Sequence, residues 1–387
     1  MFGSAVRLPV LAAGAFAVGT SAYVVAGVLP AISAELGVSI AAAGQLTTAF
    51  ALVYAVGAPV LATVLGRWER RQVLIAALAV AALGNALSAV APTYPLLIGG
   101  RLLTALGAAA FTPAATHAAT LLSPPERQGR AVAAVFTGIT LSLVVGVPAG
   151  TLLGGAFGYR GVFTVVAGLC VVGAVGVRLL LPRVPPPAPV SLRARFAVAA
   201  DPAVLTMLGI LVLGLLSVLS VYTYIAPLLA TSAGISGPLL SLVLVAYGVG
   251  GLIGNDVGGR LTDRFGSRRP LVGALPVFTV VLATLPFTIT TPLGAAAALF
   301  MLGAGFVVSS PIQTRLIELA PASSSLVLSL SASAIYLGAG LSGVVGGLVV
   351  DLFGVPALPP IAALLSLGSL GLLALALRQE PARPSGA

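Results

Sequence analysis

The feature that most constrains this chain is the recurrence of apolar runs long enough to cross a bilayer. A transmembrane helix needs about 20 mostly apolar residues, and the sequence contains twelve such runs. The first six predicted spans are residues 8–29, 40–65, 72–91, 95–121, 129–153 and 160–181. The second six are residues 203–229, 238–259, 270–290, 292–316, 323–350 and 356–378. We therefore predict an all-α membrane protein.

The composition supports the same class of protein. Hydrophobic residues make up 59% of the chain and charged residues only 7%, whereas about one quarter of a soluble domain is charged. These few charged residues cannot cover the apolar surface of a chain of this length. Lipid must therefore be its main solvent. The first run could instead be a secretory signal, but it is longer than a typical signal core.

Arginine placement predicts the orientation of the chain. All 19 basic residues are arginine, and most lie in the short gaps between apolar runs. Cytoplasmic loops of membrane proteins are enriched in positive charge. With the N-terminus inside, 17 arginines fall on the cytoplasmic side, Arg160 falls outside and Arg101 lies within a span. We expect a multi-pass protein of the cell inner (plasma) membrane with both termini in the cytoplasm. Despite the net charge of +10, we expect no binding of nucleic acid.

The two halves of the sequence match each other at one offset. Shifting the chain by 197 residues aligns Pro30 with Pro227 and Arg67 with Arg264 without a gap. The Pro- and Arg-rich segment between the halves contains no span and is typical of a linker. We predict an N-terminal six-helix bundle over residues 1–181, a cytoplasmic linker over 182–202 and a C-terminal six-helix bundle over 203–387. Such repeats are typical of carriers with the substrate site between them.

The loop between spans 8 and 9 reads GGRLTDRFGSRRP (residues 258–270). It resembles the signature loop of the major facilitator superfamily, a glycine followed by Asp-Arg-x-Gly and further basic residues. The matching positions are Gly259, Asp263, Arg264, Gly266, Arg268 and Arg269. The corresponding first-half loop, LGRWERRQV (65–73), keeps Arg67, Arg70 and Arg71 but has Gly66 in place of the aspartate.

Further motifs resemble the twelve-span drug:H⁺ antiporter branch of that superfamily, near the chloramphenicol-resistance and arabinose or purine efflux permeases. They are GGRLLTALGAA (99–109), GVPAGTLLGG (146–155), VYTYIAPLL (221–229) and PIQTRLIELAP (311–321). The resemblance implies two pseudo-symmetric six-helix bundles, alternating access and multidrug efflux by proton antiport, with antibiotic resistance as a consequence. We expect a monomer.

The coupling acid of this branch is missing. Related efflux proteins carry an aspartate or glutamate in the first span, near the positions of Ser21 and Ala22. None of the nine acidic residues here lies in the middle of a span. Three explanations remain open: coupling through Asp256 near the inner end of span 8, coupling through Arg101 with a water chain, or no proton coupling.

Candidate substrate contacts follow from helix faces at 100° per residue. They are Ser21 and Tyr23 on span 1, Arg101 and Thr112 on span 4, Ser217 and Tyr224 on span 7, and Ser333 and Tyr336 on span 11. Tyr222 falls on the face opposite Tyr224. Arg101 either lines a cavity or is tied to carbonyls of a neighbouring span, since a buried guanidinium needs a partner. A weakly polar cavity of this kind suits flat hydrophobic or amphipathic molecules better than sugars.

The cytoplasmic loops predict a gate. Asp263 is placed to accept hydrogen bonds at the start of span 5 and to pair with Arg130 when the inner side is closed. Gly66 cannot do the same in the first half, unless Glu69 substitutes for it. Alternatively, the loop arginines only determine topology. The candidate gating residues are Arg67, Arg71, Arg130, Asp263, Arg264 and Arg268.

Other function classes find little support. No GxxxxGK phosphate-binding loop is present, so ATP is not the expected fuel. The single histidine, His117, and the single cysteine, Cys170, lie in separate spans, which supplies neither a catalytic pair nor a metal site. We therefore predict no enzyme activity, no metal and no cofactor. The alternatives to drug efflux are an uncoupled or proton-linked exporter of purines or sugars, and a membrane protein that does not transport.

Overall fold

The computed structural model describes residues 7–124, 127–186, 201–321 and 324–379. Within these ranges the regular structure is helical and includes no β-strand. The first-half helices are Arg7–Tyr23, Val25–Leu36, Ile40–Val64, Arg70–Val90, Tyr94–Leu121, Gln128–Leu141 and Val147–Leu180. The second-half helices are Pro202–Thr223, Ile225–Ala233, Gly237–Phe265, Arg268–Thr288, Pro292–Ala304, Ser309–Leu319, Ser324–Phe353 and Leu358–Gln379.

The number of crossings agrees with the prediction of twelve. In the described ranges ten helices are long and apolar enough to span a membrane, and Arg7–Tyr23 with Val25–Leu36, bent by 45°, forms an eleventh. Gln128–Leu180 has 53 residues, about 80 Å of helix, too long for one crossing. It reverses at Gly158, whose φ of 65° favours glycine. A β-carbon on Gly154 would lie 3.6 Å from Val162, so the two segments run back along each other as spans 5 and 6.

The two bundles meet mainly along two pairs of spans. Span 2 (Ile40–Val64) packs against span 11 (Ser324–Phe353), and span 5 packs against span 8 (Gly237–Phe265). We call the end with the 65–73 and 258–270 loops the arginine-rich end, and the end with Glu35 and Asp351 the arginine-poor end.

Contacts across the bundles close the arginine-poor end. Gln45 on span 2 donates from Nε2 to the carbonyl of Gly343 on span 11 at 3.0 Å. The Tyr224 hydroxyl lies 2.9 Å from the same carbonyl and 3.4 Å from the carbonyl of Ala41 on span 2. Tyr224 therefore bridges spans 2, 7 and 11 at this end.

Glycines of the 146–155 motif let span 5 approach span 1. A β-carbon on Gly146 would lie 2.2 Å from Thr20 Oγ1, and one on Gly150 would lie 2.3 Å from Val24 Cγ2. Gly154 repeats the pattern against Val28 at 2.5 Å. Small residues at such spacing let backbones pack closely in lipid, so the motif serves helix packing here.

The start of the predicted linker packs on the first bundle. Val184 is buried, donates its N–H to Glu69 Oε1 at 2.8 Å and accepts from the Arg70 N–H at 2.9 Å. Glu69 also caps the helix Arg70–Val90 by accepting from the Arg71 N–H. Residues 187–200 lie outside the described residues, and the bundle boundaries at 181 and 203 stay predictions.

Candidate functional site

A central cavity lies between the bundles, and its empty space of about 380 Å³ includes space open to solvent. Spans 1, 2, 7 and 11 contribute its walls, so both bundles shape it. The lining residues are Ala22, Tyr23, Ala26, Thr47, Phe50, Ala51, Leu219, Tyr222, Thr223, Tyr336 and Ala339. Neither an acidic nor a basic side chain is among these lining residues, and its polar groups are hydroxyls.

Aromatic rings dominate the walls of the cavity. Tyr336 on span 11 stacks on Tyr54 of span 2 with ring centroids 3.5 Å apart, which joins the two bundles beside the cavity. Tyr222 is 3% exposed, and within the described part of the chain its hydroxyl has no hydrogen-bond partner. Buried polar groups in native proteins nearly always have a partner. The Tyr222 hydroxyl is therefore available to a bound molecule.

The structure brings only some of the predicted contact residues to this cavity. Tyr23 and Tyr336 line it. Tyr224 does not, because its hydroxyl is engaged at the arginine-poor end. Ser217 is fully buried and donates to the Leu213 carbonyl of its own helix at 2.7 Å. Ser333 is partly buried and is absent from the cavity lining.

Tyr222 was missed because the polar face of Ser217 was expected to line the cavity. The face with Leu219, Tyr222 and Thr223, at ordinary helical spacing, lines it instead. The break in span 7 affects Tyr224, not Tyr222. Span 7 breaks at Tyr224, whose φ of −106° and ψ of 22° lie outside the helical region. Pro227 explains the break: it has no N–H to bond the carbonyl four residues earlier, and its ring clashes with that carbonyl. The signal for this break was present in the sequence, since this proline sits three residues after Tyr224.

Arg101 lies inside the first bundle. It is fully buried, and its Nη1 donates to the Ser21 carbonyl at 2.8 Å. The guanidinium also lies over the ring of Phe50 at 4.6 Å and over that of Phe163 at 5.8 Å, where aromatic faces attract a cation. Phe50 lines the cavity, so it separates Arg101 from the central space. Of the two roles considered for Arg101, the structure contains the hydrogen bond to a carbonyl of a neighbouring span, that of Ser21.

Ser21 belongs to the same buried cluster. Its hydroxyl donates to Asn85 Oδ1 at 2.9 Å, and Asn85 donates from Nδ2 to the Ala81 carbonyl at 2.8 Å. Ala22, the next residue, lines the central cavity instead. Thr112 is partly buried, is not among the residues that line the cavity, and lies within 3.4 Å of the Ala108 carbonyl.

Asp256 is the acid closest to the middle of a span. It is exposed and pairs with Arg260 one turn later, with Oδ2 and Nη2 2.8 Å apart. Exposed pairs of this kind contribute at most about 1 kcal/mol, so the carboxylate is free to exchange its partner.

Among the residues that the structure describes, no group of His, Cys, Asp and Glu side chains could hold a metal ion. Cys170 is buried with a free thiol.

The predicted gate residues lie at the arginine-rich end. Arg67, Arg130, Asp263, Arg264 and Arg268 are exposed. Among the described ion pairs, none joins Asp263 to Arg130. Arg264 lies over the Phe265 ring at 5.1 Å, and Arg71 donates from Nη2 to the Arg178 carbonyl of span 6. The two bundles are tied together at the arginine-poor end, while the predicted Asp263–Arg130 pair at the other end is not among the described ion pairs.

Comparison with known proteins decides the family. The model of the Major Facilitator Superfamily matches residues 11–324 and 207–387. The chain belongs to this superfamily. It is a multi-pass membrane transporter with two pseudo-symmetric six-helix bundles, as its sequence motifs predicted.

Relatives in this superfamily match along most of their length. The chain is 36% identical over 373 residues to the inner membrane transport protein YdhP of Escherichia coli (strain K12), covering 96% of each chain. It is 34% identical over 342 residues to a chloramphenicol resistance protein of Streptomyces lividans, covering 86% of each. The putative transporter AraJ of Escherichia coli (strain K12) is 28% identical over 371 residues, with 94% of this chain and 93% of AraJ covered.

A solved structure shares the fold. It is the crystal structure of a bacterial homolog to the human lysosomal transporter Spinster, in an inward-facing and occupied conformation. The TM-score is 0.75 over 96% of each chain, at 18% sequence identity. This likeness concerns the superfamily fold alone.

Proposed function

We propose that this transporter exports hydrophobic or amphipathic compounds from the cytoplasm by alternating access through the central cavity. The observation that carries the proposal is the lining of that cavity, where aromatic and small apolar side chains surround the unpartnered hydroxyl of Tyr222. Sites of this composition bind apolar molecules and orient them by a few hydrogen bonds.

Two relatives support drug export as the direction of transport. The Streptomyces lividans relative is named a chloramphenicol resistance protein. A protein of Mycobacterium tuberculosis (strain CDC 1551 / Oshkosh), 31% identical over 312 residues, is named a chloramphenicol efflux pump. Arginine counting supports the arginine-rich end as the cytoplasmic end and an inner-membrane location with both termini inside. Opening of the arginine-rich end would then admit substrate from the cytoplasm.

The finer point of the proposal is whether export is coupled to protons. The cavity lining contains no carboxylate, so no acid there can exchange a proton for substrate. Asp256, exposed beside Arg260 on span 8, is the acid placed best to carry a proton outside the cavity. We propose export without a proton carrier in the central cavity. Export of purines or sugars is the less supported alternative because the lining is poor in amide and carboxylate groups.

The test is export from proteoliposomes with and without a pH gradient. A panel of neutral and cationic dyes and chloramphenicol-like drugs is loaded, and its release is compared with that from protein-free vesicles. We expect release of amphipathic compounds that ignores the gradient. Release of no panel member, or of sugars and purines alone, would contradict drug export.

A designed acid tests the coupling. Ala22 lines the cavity whereas Ser21 does not, so Ala22→Asp restores the missing carboxylate and Ala22→Asn is its uncharged control of similar size. We expect release to follow the pH gradient in Ala22→Asp but not in Ala22→Asn. If the unaltered chain already follows the gradient, and Asp256→Asn abolishes this, coupling runs through span 8 instead.

A further inference from the structure

A second, larger cavity is lined by residues of the C-terminal bundle. Its empty space, about 730 Å³ including space open to solvent, lies between spans 7, 8, 9, 10 and 11. We call it the side chamber. Its lining residues are Ile210, Leu211, Gly214, Leu215, Val218, Tyr247, Leu275, Phe278, Leu302, Gly305, Phe306, Val308, Ser309, Ile312, Gln313, Ser331 and Ile335.

An interruption of span 10 forms one wall of the side chamber. The helices Pro292–Ala304 and Ser309–Leu319 are joined by a 3₁₀ segment, Gly305–Val308, which lines the cavity. A β-carbon on Gly305 would lie 2.3 Å from the ring of Phe278, so only glycine lets the ring approach this segment. A 3₁₀ stretch within a helix often marks a functional position.

The polar groups of the side chamber are gathered at one end. Ser309 and Gln313 lie on span 10 beyond its interruption, and Ser331 lies in the first half of span 11, so all three are on the side of the arginine-rich end. Ser331 is 2% exposed. Within the described part of the chain none of the three side chains has a hydrogen-bond partner, although most serines and threonines in these helices bond a carbonyl of their own helix. Ser309 is half-buried and Gln313 is exposed, so Ser331 is the buried one of the three, and a ligand in the chamber would supply the hydrogen-bond partner that its hydroxyl lacks.

The remaining walls are apolar and uncharged. Phe278 and Phe306 flank the middle of the side chamber, and Tyr247 and Leu302 close its deep end. No arginine, aspartate or glutamate is among the lining residues, so a charged ligand would lose its hydration without gaining a counter-charge.

The side chamber and the central cavity share a wall. Tyr247, which lines the side chamber, stacks on Tyr222, which lines the central cavity, with ring centroids 4.3 Å apart. The two spaces are therefore neighbouring but separate, so their occupation can be distinguished by labelling.

We propose that the side chamber is a binding site for an uncharged amphipathic molecule with an apolar body and one hydrogen-bonding head group. The head group bonds Ser331 and its neighbours Ser309 and Gln313, and the apolar body lies between Phe278 and Phe306 toward Tyr247. Binding here does not depend on export through the central cavity.

The experiment is photolabelling of the full chain in phosphatidylcholine nanodiscs. The probe is a long-chain alcohol with a diazirine in its chain, and labelled peptides are mapped by mass spectrometry. We expect labelling of residues 210–218 and 302–313 to be about tenfold stronger than labelling of the lipid-facing side of span 6. The unlabelled alcohol should compete with the probe, whereas the alkanoate anion of equal length should not.

Three variants locate the labelled site. Ser331→Phe fills the side chamber and should lower its labelling about tenfold. Ser331→Ala keeps the space, removes the hydroxyl and should weaken binding of the alcohol about threefold to tenfold, which keeps the test informative if the larger side chain prevents folding. Ala339→Phe fills the central cavity instead and should leave side-chamber labelling unchanged.

Labelling at the lipid-facing background, equal competition by the alkanoate, or unchanged binding in both Ser331 variants would overturn the proposal. Loss of side-chamber labelling in Ala339→Phe would also overturn it, because the probe would then have entered by the central cavity. Failure of the export assay would leave these results unaffected.

Discussion

Gly343 is the position where one added methyl group should shift the conformation of the carrier most clearly. It lies on span 11 against span 2 at the arginine-poor end. A β-carbon there would lie 2.2 Å from Thr48 Oγ1 and 2.9 Å from the Gly44 carbonyl oxygen. A side chain can rotate away but the backbone of span 2 cannot, so Gly343→Ala should force the two spans apart at this end.

The magnitude follows from the cost of overpacking. An added methyl group in a close-packed contact costs about 1–3 kcal/mol. The clash is absent once the arginine-poor end opens, so this cost falls only on the closed conformation. At 1.4 kcal/mol per tenfold change, the population open at this end should rise about 5-fold to 150-fold.

Access of a thiol reagent to the central cavity measures this shift. The reporter is Ala51→Cys, on the cavity wall, in a Cys170→Ser background. A membrane-impermeant maleimide is added from outside to right-side-out vesicles, and we expect its reaction rate to rise with the open population.

Gly168→Ala on span 6 is the matched control, because a β-carbon there meets no atom within 4 Å. It should label at the rate of the parent. A well-folded Gly343→Ala protein that reacts no faster than the parent, or an equal rise in Gly168→Ala, would refute the reasoning.

Three further substitutions have expected outcomes. Tyr222→Phe removes a buried hydroxyl without a partner, so the free energy of unfolding should stay equal or rise by up to about 1 kcal/mol. Binding of hydrogen-bonding substrates should weaken several-fold. A clear loss of stability would show that the hydroxyl has a partner. Ser21→Ala leaves Asn85 Oδ1 without its donor and should cost about 1–3 kcal/mol, seen as a lower midpoint of thermal unfolding; an unchanged midpoint would contradict this. Glu69→Ala removes the cap of span 3 and the bond to Val184 and should cost about 1–2 kcal/mol, whereas Glu35→Ala, at the other end of the bundle, should cost less than half as much.

The spans and their duplication could be predicted because they follow from local composition. An apolar run crosses the bilayer whatever its neighbours are, and Gly158 reverses the chain between the predicted ends at 153 and 160. The superfamily could be predicted from Asp263, Arg264 and Gly266, since a loop motif depends on a few residues in sequence.

The side chains of the site were harder to predict because their roles depend on other spans. Arg101 has its carbonyl partner on span 1 and its aromatic partner on span 2, which no pattern within span 4 can show. Tyr222 lines the cavity and Ser217 does not, because the Ser217 hydroxyl bonds a carbonyl of its own helix and the aromatic face of span 7 is turned to the other bundle. The side chamber could not be predicted at all, since five spans contribute to it.

The central claim is that the two bundles rock about the cavity, so that one end opens as the other closes. Pulsed electron spin resonance tests it with spin labels on paired cysteines in a Cys170→Ser background. The pair Ser39→Cys and Ser236→Cys reports the arginine-poor end, and the pair Trp68→Cys and Phe265→Cys reports the arginine-rich end; all four positions are exposed. Adding Gly343→Ala should lengthen the first distance and shorten the second. Distances that change in the same direction, or a second distance that does not change while the first does, would contradict the account.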